Sequence, residues 1–330
     1  MSSSMILAGD IGGTKTNLAV FADGQRLGSA IAEEKFASTE HATLDEIVKE
    51  FVTRNGLRPD AACFGVAGPV KDGRCVATNL PWVVDSEVLS HELGGVKTWL
   101  INDLEANAYG IAVLEPRELV VLNPGAADAR GNAAIIAAGT GLGEAGLYWD
   151  GRDHIPFACE GGHADFSPRT PVEVELLGWL RGRFEHVSWE RVVSGPGLVN
   201  VYQFLRDVKH LEEPDWLRAE LGTGDPGAVI SQAAEAGRSP LCAQALDLFV
   251  GLYGAEAGNL ALKLMATGGV YVGGGIAPKN LQWIHRGAFL AAFLAKGRMR
   301  GLLEAIPVRI ILSDRTALLG AARCAALRST

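Results

Sequence analysis

Apolar residues along the chain fall into short solid runs closed by glycine turns, alternating with stretches where they recur every three or four positions. Met5-Ile6-Leu7-Ala8 reads as a short buried strand and Thr16-Asn17-Leu18-Ala19-Val20-Phe21 as its return, with Gly12-Gly13 as the tight turn between them. Arg26 to Ala32 is expected to add a third antiparallel strand. Leu44, Ile47, Val48 and Phe51 repeat at helical spacing, and Asn55-Gly56 ends that helix. Ala61 to Ala67 is a solid strand closed by Gly68-Pro69, and Asn79-Leu80-Pro81-Trp82 is a loop carrying an exposed aromatic. Thr98-Trp99-Leu100-Ile101 is a further strand that runs into Asn102-Asp103, with a helix from near Leu104 to about Leu114.

The segment from Asn123 to Asn132, rich in Ala, Gly, Pro and Asp, reads as a loop near a domain junction. Beyond it the opening pattern returns. Ala133 to Ala138 is an apolar strand, Gly139-Thr140-Gly141-Leu142-Gly143 its turn, and Ala145 to Trp149 the return strand. Two strand–glycine–strand units without long sequence identity suggest two lobes of similar topology. The later half is mainly helical, over Pro171–Phe184, Gly197–Asp207, Leu241–Met265 and Leu281–Leu294. A strand fenced by glycines at 268–276, a late strand at Val308–Leu312 and a closing helix at Thr316–Leu327 complete an α/β chain.

Composition narrows the classes of function. At 330 residues the chain exceeds what one core usually serves, so two domains are expected. Net charge is −8 with no basic block, which disfavours nucleic acid while leaving room for an anion bound by glycine turns and helix N-termini. The five cysteines are odd in number, scattered and without a Cys-x-x-Cys pair, so neither a disulfide framework nor a zinc knuckle is indicated. The N-terminus has no basic leader region, and no run approaches the roughly 18 apolar residues of a membrane span; a cytoplasmic protein with no membrane partner is expected.

The chemistry collects at the glycine turns. Gly12-Gly13 removes two Cβ atoms, so backbone N–H groups there can meet an anion, and Asp10 before it could meet a Mg²⁺ carried by a phosphate. The same residues also suit a plain hairpin with a capping Asp. Thr14 and Thr140 add hydroxyl donors. No P-loop spacing is present, and Glu144 stands where a dinucleotide fingerprint needs its last glycine. Asp103, at the end of a strand, could take the proton of an attacking alcohol, a role worth roughly 10²–10⁴ in rate, or else cap the following helix. Glu160-Gly161-Gly162-His163-Ala164-Asp165 gathers a carboxylate and an imidazole that suit sugar hydroxyls; with Cys159 alongside it still lacks the spacing of a zinc site. His163 equally fits a structural role. Glu190 reads as the first turn of a helix and equally as a solvated side chain.

Taken together, Gly9-Asp10-Ile11-Gly12-Gly13-Thr14, Ile101-Asn102-Asp103, Gly139-Thr140-Gly141-Leu142-Gly143, Glu160-Gly161-Gly162-His163-Ala164-Asp165-Phe166, Glu190 to Gly197, and Gly268-Gly269-Val270 with Gly274-Gly275-Ile276 follow in one order. That series resembles bacterial glucokinases of the hexokinase and actin-like ATPase superfamily, from residue 6 to about residue 320. The resemblance implies a two-lobed, ribonuclease H-like fold whose cleft lies between a small domain, 1–113 with 314–330, and a large one, 114–313. It implies phosphorylation of D-glucose at O6 by ATP with Mg²⁺, with another hexose or an amino sugar as the alternative acceptor. A sugar sensor is a remote third reading. By the same resemblance Asp103 is the catalytic base. Asn102, Asp103, Glu160, His163 and Glu190 hold the sugar. Asp10, Gly12, Gly13, Thr14, Gly139, Thr140, Gly141, Gly274 and Gly275 hold the nucleotide, Asp10 being also the Mg²⁺ residue, directly or through water. A homodimer or a monomer is expected. Two positions depart from the pattern: Glu144, where an apolar residue is common, and Lys15, which is similar to the repressor–ORF–kinase group. That group carries a Cys-x-Cys-Gly-x-x-Gly-Cys zinc motif after its His. Here Phe166-Ser167-Pro168-Arg169 follows, which favours the zinc-free glucokinases.

Overall fold

The computed structural model describes residues 4–22, 27 and 29–329. The chain divides into two compact units, Met1–Glu118 with Ile155–Ala158 and Ser313–Thr330, and Leu119–His154 with Cys159–Leu312.

The first unit is built on strands β1 (Met5–Ile11), β2 (Lys15–Ala22), β3 (Ala32–Ala37), β4 (Ala61–Val66), β5 (Val70–Lys71), β6 (Arg74–Val76), β7 (Val83–Asp85) and β8 (Lys97–Asn102). Its main sheet has the order β3-β2-β1-β4-β8. The hairpin β1–β2 and the β2–β3 pair are antiparallel, whereas β1–β4 and β4–β8 are parallel. The third strand thus begins where the sequence reading ends it. Of the stretch Arg26–Ala32, residues 26 and 28 lie outside the described residues, and Glu33, Glu34 and Lys35 furnish a charged edge that resists pairing with another chain. β5, β6 and β7 form a small second sheet that periodicity does not reveal, because its strands are two or three residues long. Trp82 is a correction: it is 2% exposed, and its indole Nε1 donates to His41 O at 3.3 Å, so it belongs to the core.

Both faces of this sheet are covered. Helix α1 (Leu44–Asn55), N-capped by Thr43, buries Leu44, Ile47, Val48 and Phe51 among Leu7, Leu18, Phe64 and Val66, with α2 (Ser86–Glu92) contributing Leu89. On the opposite face, helix α3 (Asp103–Ile111) and the C-terminal helix (Thr316–Ser329) bury Ala106, Tyr109, Leu318, Ala321 and Cys324 against Ile6, Ala8, Phe21 and Cys63. Each large apolar side chain so removed from water contributes about 1.5–3 kcal/mol.

The second unit repeats the plan. Strands β9 (Leu119–Asn123), β10 (Ala133–Ala138), β11 (Leu142–Trp149), β12 (His154–Cys159), β13 (Gly269–Gly273) and β14 (Val308–Ile311) form a sheet in the order β12-β11-β10-β13-β14-β9. Again an antiparallel hairpin, β10–β11, is followed by parallel neighbours, β13 and β14. Its helices are α4 (Pro171–Arg181), α5 (Gly195–Asp207), α6 (Asp215–Thr223), α7 (Pro226–Glu235) and the 25-residue α8 (Pro240–Leu264). The side chains of Thr170, Ser194, Asp225 and Ser239 cap α4, α5, α7 and α8, each with a proline in the first turn. Helix α8 is buried nearly all round, so its apolar positions show no single stripe. The single helix expected over 281–294 is two, Leu281–Ile284 and Ala288–Leu294, because Gly287 takes a left-handed φ of 101° between them. All five cysteines are free, and among the described residues no helix is long and apolar enough to cross a membrane.

Candidate active site

In the first unit the sheet brings three candidate residues to one edge. Asp10 pairs in register with Gly65, and the neighbouring Val66 with Asn102, so Asp10 and Asn102-Asp103 stand at the C-terminal ends of parallel strands on either side of β4. That edge is where open α/β sheets bind ligands, and two strand spacings of about 4.8 Å separate the two positions. Gly12 closes its turn by donating its N–H to Lys15 O at 3.0 Å, whereas among the described residues the N–H groups of Gly13 and Thr14 donate to no backbone carbonyl. Ser38 holds the turn from behind: its hydroxyl donates to Gly12 O at 2.8 Å and its N–H to Thr14 O at 3.0 Å. Capping α3 falls chiefly to Asn102, whose Oδ1 accepts from Leu104 N at 2.9 Å while its Nδ2 donates to Gly68 O at 3.0 Å. Asp103 is the first helical residue; its Oδ1 also receives the Leu104 N–H, at 3.0 Å, and its carbonyl takes the Asn107 amide. The capping alternative is thus met by Asn102 and in part by Asp103 itself.

Burial pushes the Asp10 carboxyl up to about 6, against a lowering by the Asn17 amide and with a further rise from Asp314. Asn17 is the cross-strand partner of Asp10, donates to it over a long 3.5 Å, and leaves its own Oδ1 buried without a partner among the described residues. Among the described residues no group of three or more His, Cys, Asp or Glu side chains is set to hold a metal ion. A single carboxylate oxygen donor of this kind is chemically compatible with a hard cation such as Mg²⁺.

In the second unit the first residues of β11 organise the other candidates. Gly139 N donates to Gly141 O at 2.9 Å, and Gly139 O accepts from Gly195 N, in the first turn of α5, at 2.8 Å; the Thr140 and Gly141 N–H groups, among the described residues, donate to no backbone carbonyl. Leu142 N donates to Glu190 Oε2 at 2.9 Å. Glu190 lies in the first turn of a helix, as the sequence suggests, but of a single 3-10 turn, Trp189–Arg191; its carbonyl takes the hydroxyl of Ser194, the cap of α5. Leu142 O sits under Gly162, where a Cβ would come within 2.0 Å of it. Residues 164–166 pair with 187–189 through Phe166 N to Val187 O at 2.9 Å and Trp189 N to Ala164 O at 3.0 Å, which brings together the short turns that carry His163 and Glu190. Glu160 and His163 are exposed, and Glu190 is half-buried.

Gly274 and Gly275 follow β13, which ends at Gly273 and is the parallel neighbour of β10. Gly274 has a φ of 77° and lies so close to β10 that a Cβ would come within 2.3 Å of Ala138 O. The end of both strands is held by Tyr253 from α8, whose buried hydroxyl accepts from Ala138 N at 3.1 Å and donates to Gly273 O at 3.1 Å or Ile136 O at 3.3 Å. Tyr253 and Ser38 escape the sequence reading because they act from 115 and 26 positions away along the chain. Asn17 was within reach, since a turn at Gly12-Gly13 places it opposite Asp10.

Comparison with known proteins accords with this geometry. The glucokinase family model matches residues 7–328. The glucokinase of Nostoc punctiforme is 46% identical over 98% of this chain and 99% of its own length. Among solved structures, glucokinase from an Antarctic psychrotroph aligns with a TM-score of 0.84 at 31% identity over 98% of both chains. A ROK-family glucokinase from Streptomyces griseus, solved with glucose and AMPPNP, shares the fold at a TM-score of 0.65 and 24% identity, over 99% of this chain and all of that one. The two sheets, with their repeated hairpins, are thus those of the actin-like ATPase fold. On these matches the chain belongs to the glucokinase family, enzymes that phosphorylate glucose with ATP.

Proposed function

We propose that the chain transfers the γ-phosphoryl group of ATP to O6 of D-glucose, with Asp103 taking the proton of that hydroxyl. The observation that carries this reading is the shared sheet edge of the first unit, where Asp103 begins α3 and Asp10 precedes the glycine turn. Phosphoryl transfer asks for positioning and charge neutralisation more than covalent help, and a base beside the acceptor oxygen raises its nucleophilicity. Asn102, Glu160, His163 and Glu190 would bind the remaining hydroxyls. The turns containing Gly12, Gly13 and Thr14 and Gly139, Thr140 and Gly141 would hold phosphates through backbone N–H groups and threonine hydroxyls, with Gly274 and Gly275 against the adenosine. Mg²⁺ held through Asp10 would neutralise charge on the phosphates. The Streptomyces griseus relative, which was solved with glucose and AMPPNP, lends support to the choice of ligands.

A coupled assay of ADP formation tests the proposal. Glucose-dependent turnover is expected, and Asp103→Asn should lower kcat by roughly 10²–10⁴ while calorimetric glucose affinity stays within a few-fold. Absence of glucose-dependent ADP formation, with turnover on a different hexose or amino sugar, would move the acceptor and keep the site. An Asp103→Asn enzyme of undiminished kcat would remove the base.

A further inference from the structure

Glu144 is the third residue of β11, 1% exposed, and both of its carboxyl oxygens are buried without a partner among the described residues. The backbone of Gly161 lies directly on this carboxyl, since a Cβ there would come within 1.9 Å of Oε2 and 2.8 Å of Cδ. The Glu144 carbonyl in turn accepts from the Cys159 thiol at 3.4 Å. Glu144 therefore supports the residue on either side of Glu160, one through its side chain and one through its backbone.

An ionised carboxylate in that position would lack the donors it needs. Helix α8 presents three polar groups to it. Glu256 is fully buried and opposes its charge, and Lys263 favours it but stands 3.1 Å from Glu256 Oε1, which it serves first. The third, the Tyr253 hydroxyl, is engaged by Ala138, Ile136 and Gly273. From β12 comes only the Cys159 thiol, itself pushed up by burial. Burial first, and Glu256 second, hold the Glu144 carboxyl up to about 8.

We propose that Glu144, as a neutral carboxylic acid, is a positioning residue that fixes the backbone at 159–161 and thereby aims Glu160 at the sugar. Once ionised, the group must draw in water or a cation. The space for either is occupied by Gly161, so ionisation lifts the segment and releases Glu160. The proposal rests on the reading of Glu160 as a sugar ligand.

The test is glucose KM, kcat and calorimetric glucose affinity from pH 6 to 9.5. In the wild-type protein KM should rise about tenfold between pH 7 and pH 9, as the neutral fraction falls by that factor one unit above the midpoint, with kcat changing less. Glu144→Gln, neutral and of the same shape, should abolish that rise and keep glucose affinity at pH 7 within about threefold of the wild type, whereas Glu144→Ala should raise KM about tenfold at every pH. A wild-type KM that is flat to pH 9.5 overturns the proposal without any variant, and so does a Glu144→Gln protein that retains the alkaline rise. Glu160→Gln separates the two readings: if it leaves glucose affinity at pH 7 unchanged, the sugar role of Glu160 fails. If it weakens affinity and Glu144→Gln still rises at alkaline pH, only the role of Glu144 fails.

Discussion

The C-terminal helix and α3 cross on two glycines, and that crossing carries a prediction with a definite sign. A Cβ on Gly320 would lie 1.7 Å from Ala106 O and 2.6 Å from Gly110 N, and one on Gly110 would lie 2.0 Å from Thr316 O. Ordinary carbon–oxygen contact is about 3.3 Å, so Gly320→Ala must part the helices locally by about 1.5 Å. The obstacle is backbone, which cannot swing aside as a side-chain tip can. A gap of even 0.5–1 Å forfeits about a quarter to a half of each dispersion contact, here along an interface that buries Ala106, Tyr109, Ala321 and Cys324. Overpacking of this kind costs about 1–3 kcal/mol, and the upper end applies. Against it stands the gain of about 1 kcal/mol for Ala over Gly inside a helix. Sterics win by about 2 kcal/mol, a fall in Tm of about 5 °C.

Gly251 provides the control. It sits inside α8 with nothing within 4 Å of its missing Cβ, so Gly251→Ala keeps only the propensity gain and should raise Tm by about 2 °C. Thermal unfolding of both variants by circular dichroism tests the sign. Asp103 heads α3 one turn before Ala106, so displacement of this helix should also lower kcat by roughly tenfold or more in Gly320→Ala and leave it unchanged in Gly251→Ala. A Gly320→Ala protein with Tm at or above the wild type would refute the backbone-contact argument.

Two further outcomes follow from close contacts in the second unit. A Cβ on Gly141 would fall 2.5 Å from Glu190 Oε2, the oxygen that accepts from Leu142 N. The obstacle there is a side-chain end, so Gly141→Ala should change Tm by about 1 °C while raising the glucose KM several-fold; an unchanged KM would remove Glu190 from the sugar set. Glu173 is 1% exposed and receives Arg169 N at 2.6 Å, Nε at 3.2 Å and Nη2 at 2.6 Å, so Glu173→Ala strands a partly buried guanidinium and should cost about 3 kcal/mol in chemical denaturation. An unchanged denaturation midpoint would show that pair to be idle.

What could be read from the sequence was whatever is decided within a few residues. The two hairpins, the helices read at 44–55 and 197–207, and the strand running into Asn102-Asp103 all follow from local periodicity and turn chemistry. Distant contacts decide the remainder. Trp82 looked exposed because its loop is polar, yet it is buried with the α1 face of the first sheet and donates to His41 O, 41 positions away. The register of β3 depends on its pairing with β2, and α6 and α7 are short helices whose one buried face is set by their neighbours. Glu144 was visible only as an odd residue after a glycine turn; its significance needed Gly161, 17 positions on, to be seen lying on its carboxyl.

The glycines themselves divide by the same physical test. Gly141 makes way for Glu190, Gly161 for Glu144, Gly162 for Leu142 O, and Gly274 for Ala138 O, so packing alone explains each of them. Gly139 and Gly275 are different. Neither has a left-handed backbone, neither lies inside a helix, and a Cβ on either would meet nothing within 4 Å. No contact among the described residues calls for glycine at those two positions, and they follow the ends of the parallel neighbours β10 and β13, where α/β sheets receive ligands. Gly12 is nearly as open, its sole neighbour being Lys15 O at 3.2 Å. Spare room at a strand end is what close approach of a phosphate or an adenosine to backbone requires, so these are the glycines on which the proposed nucleotide contact would draw.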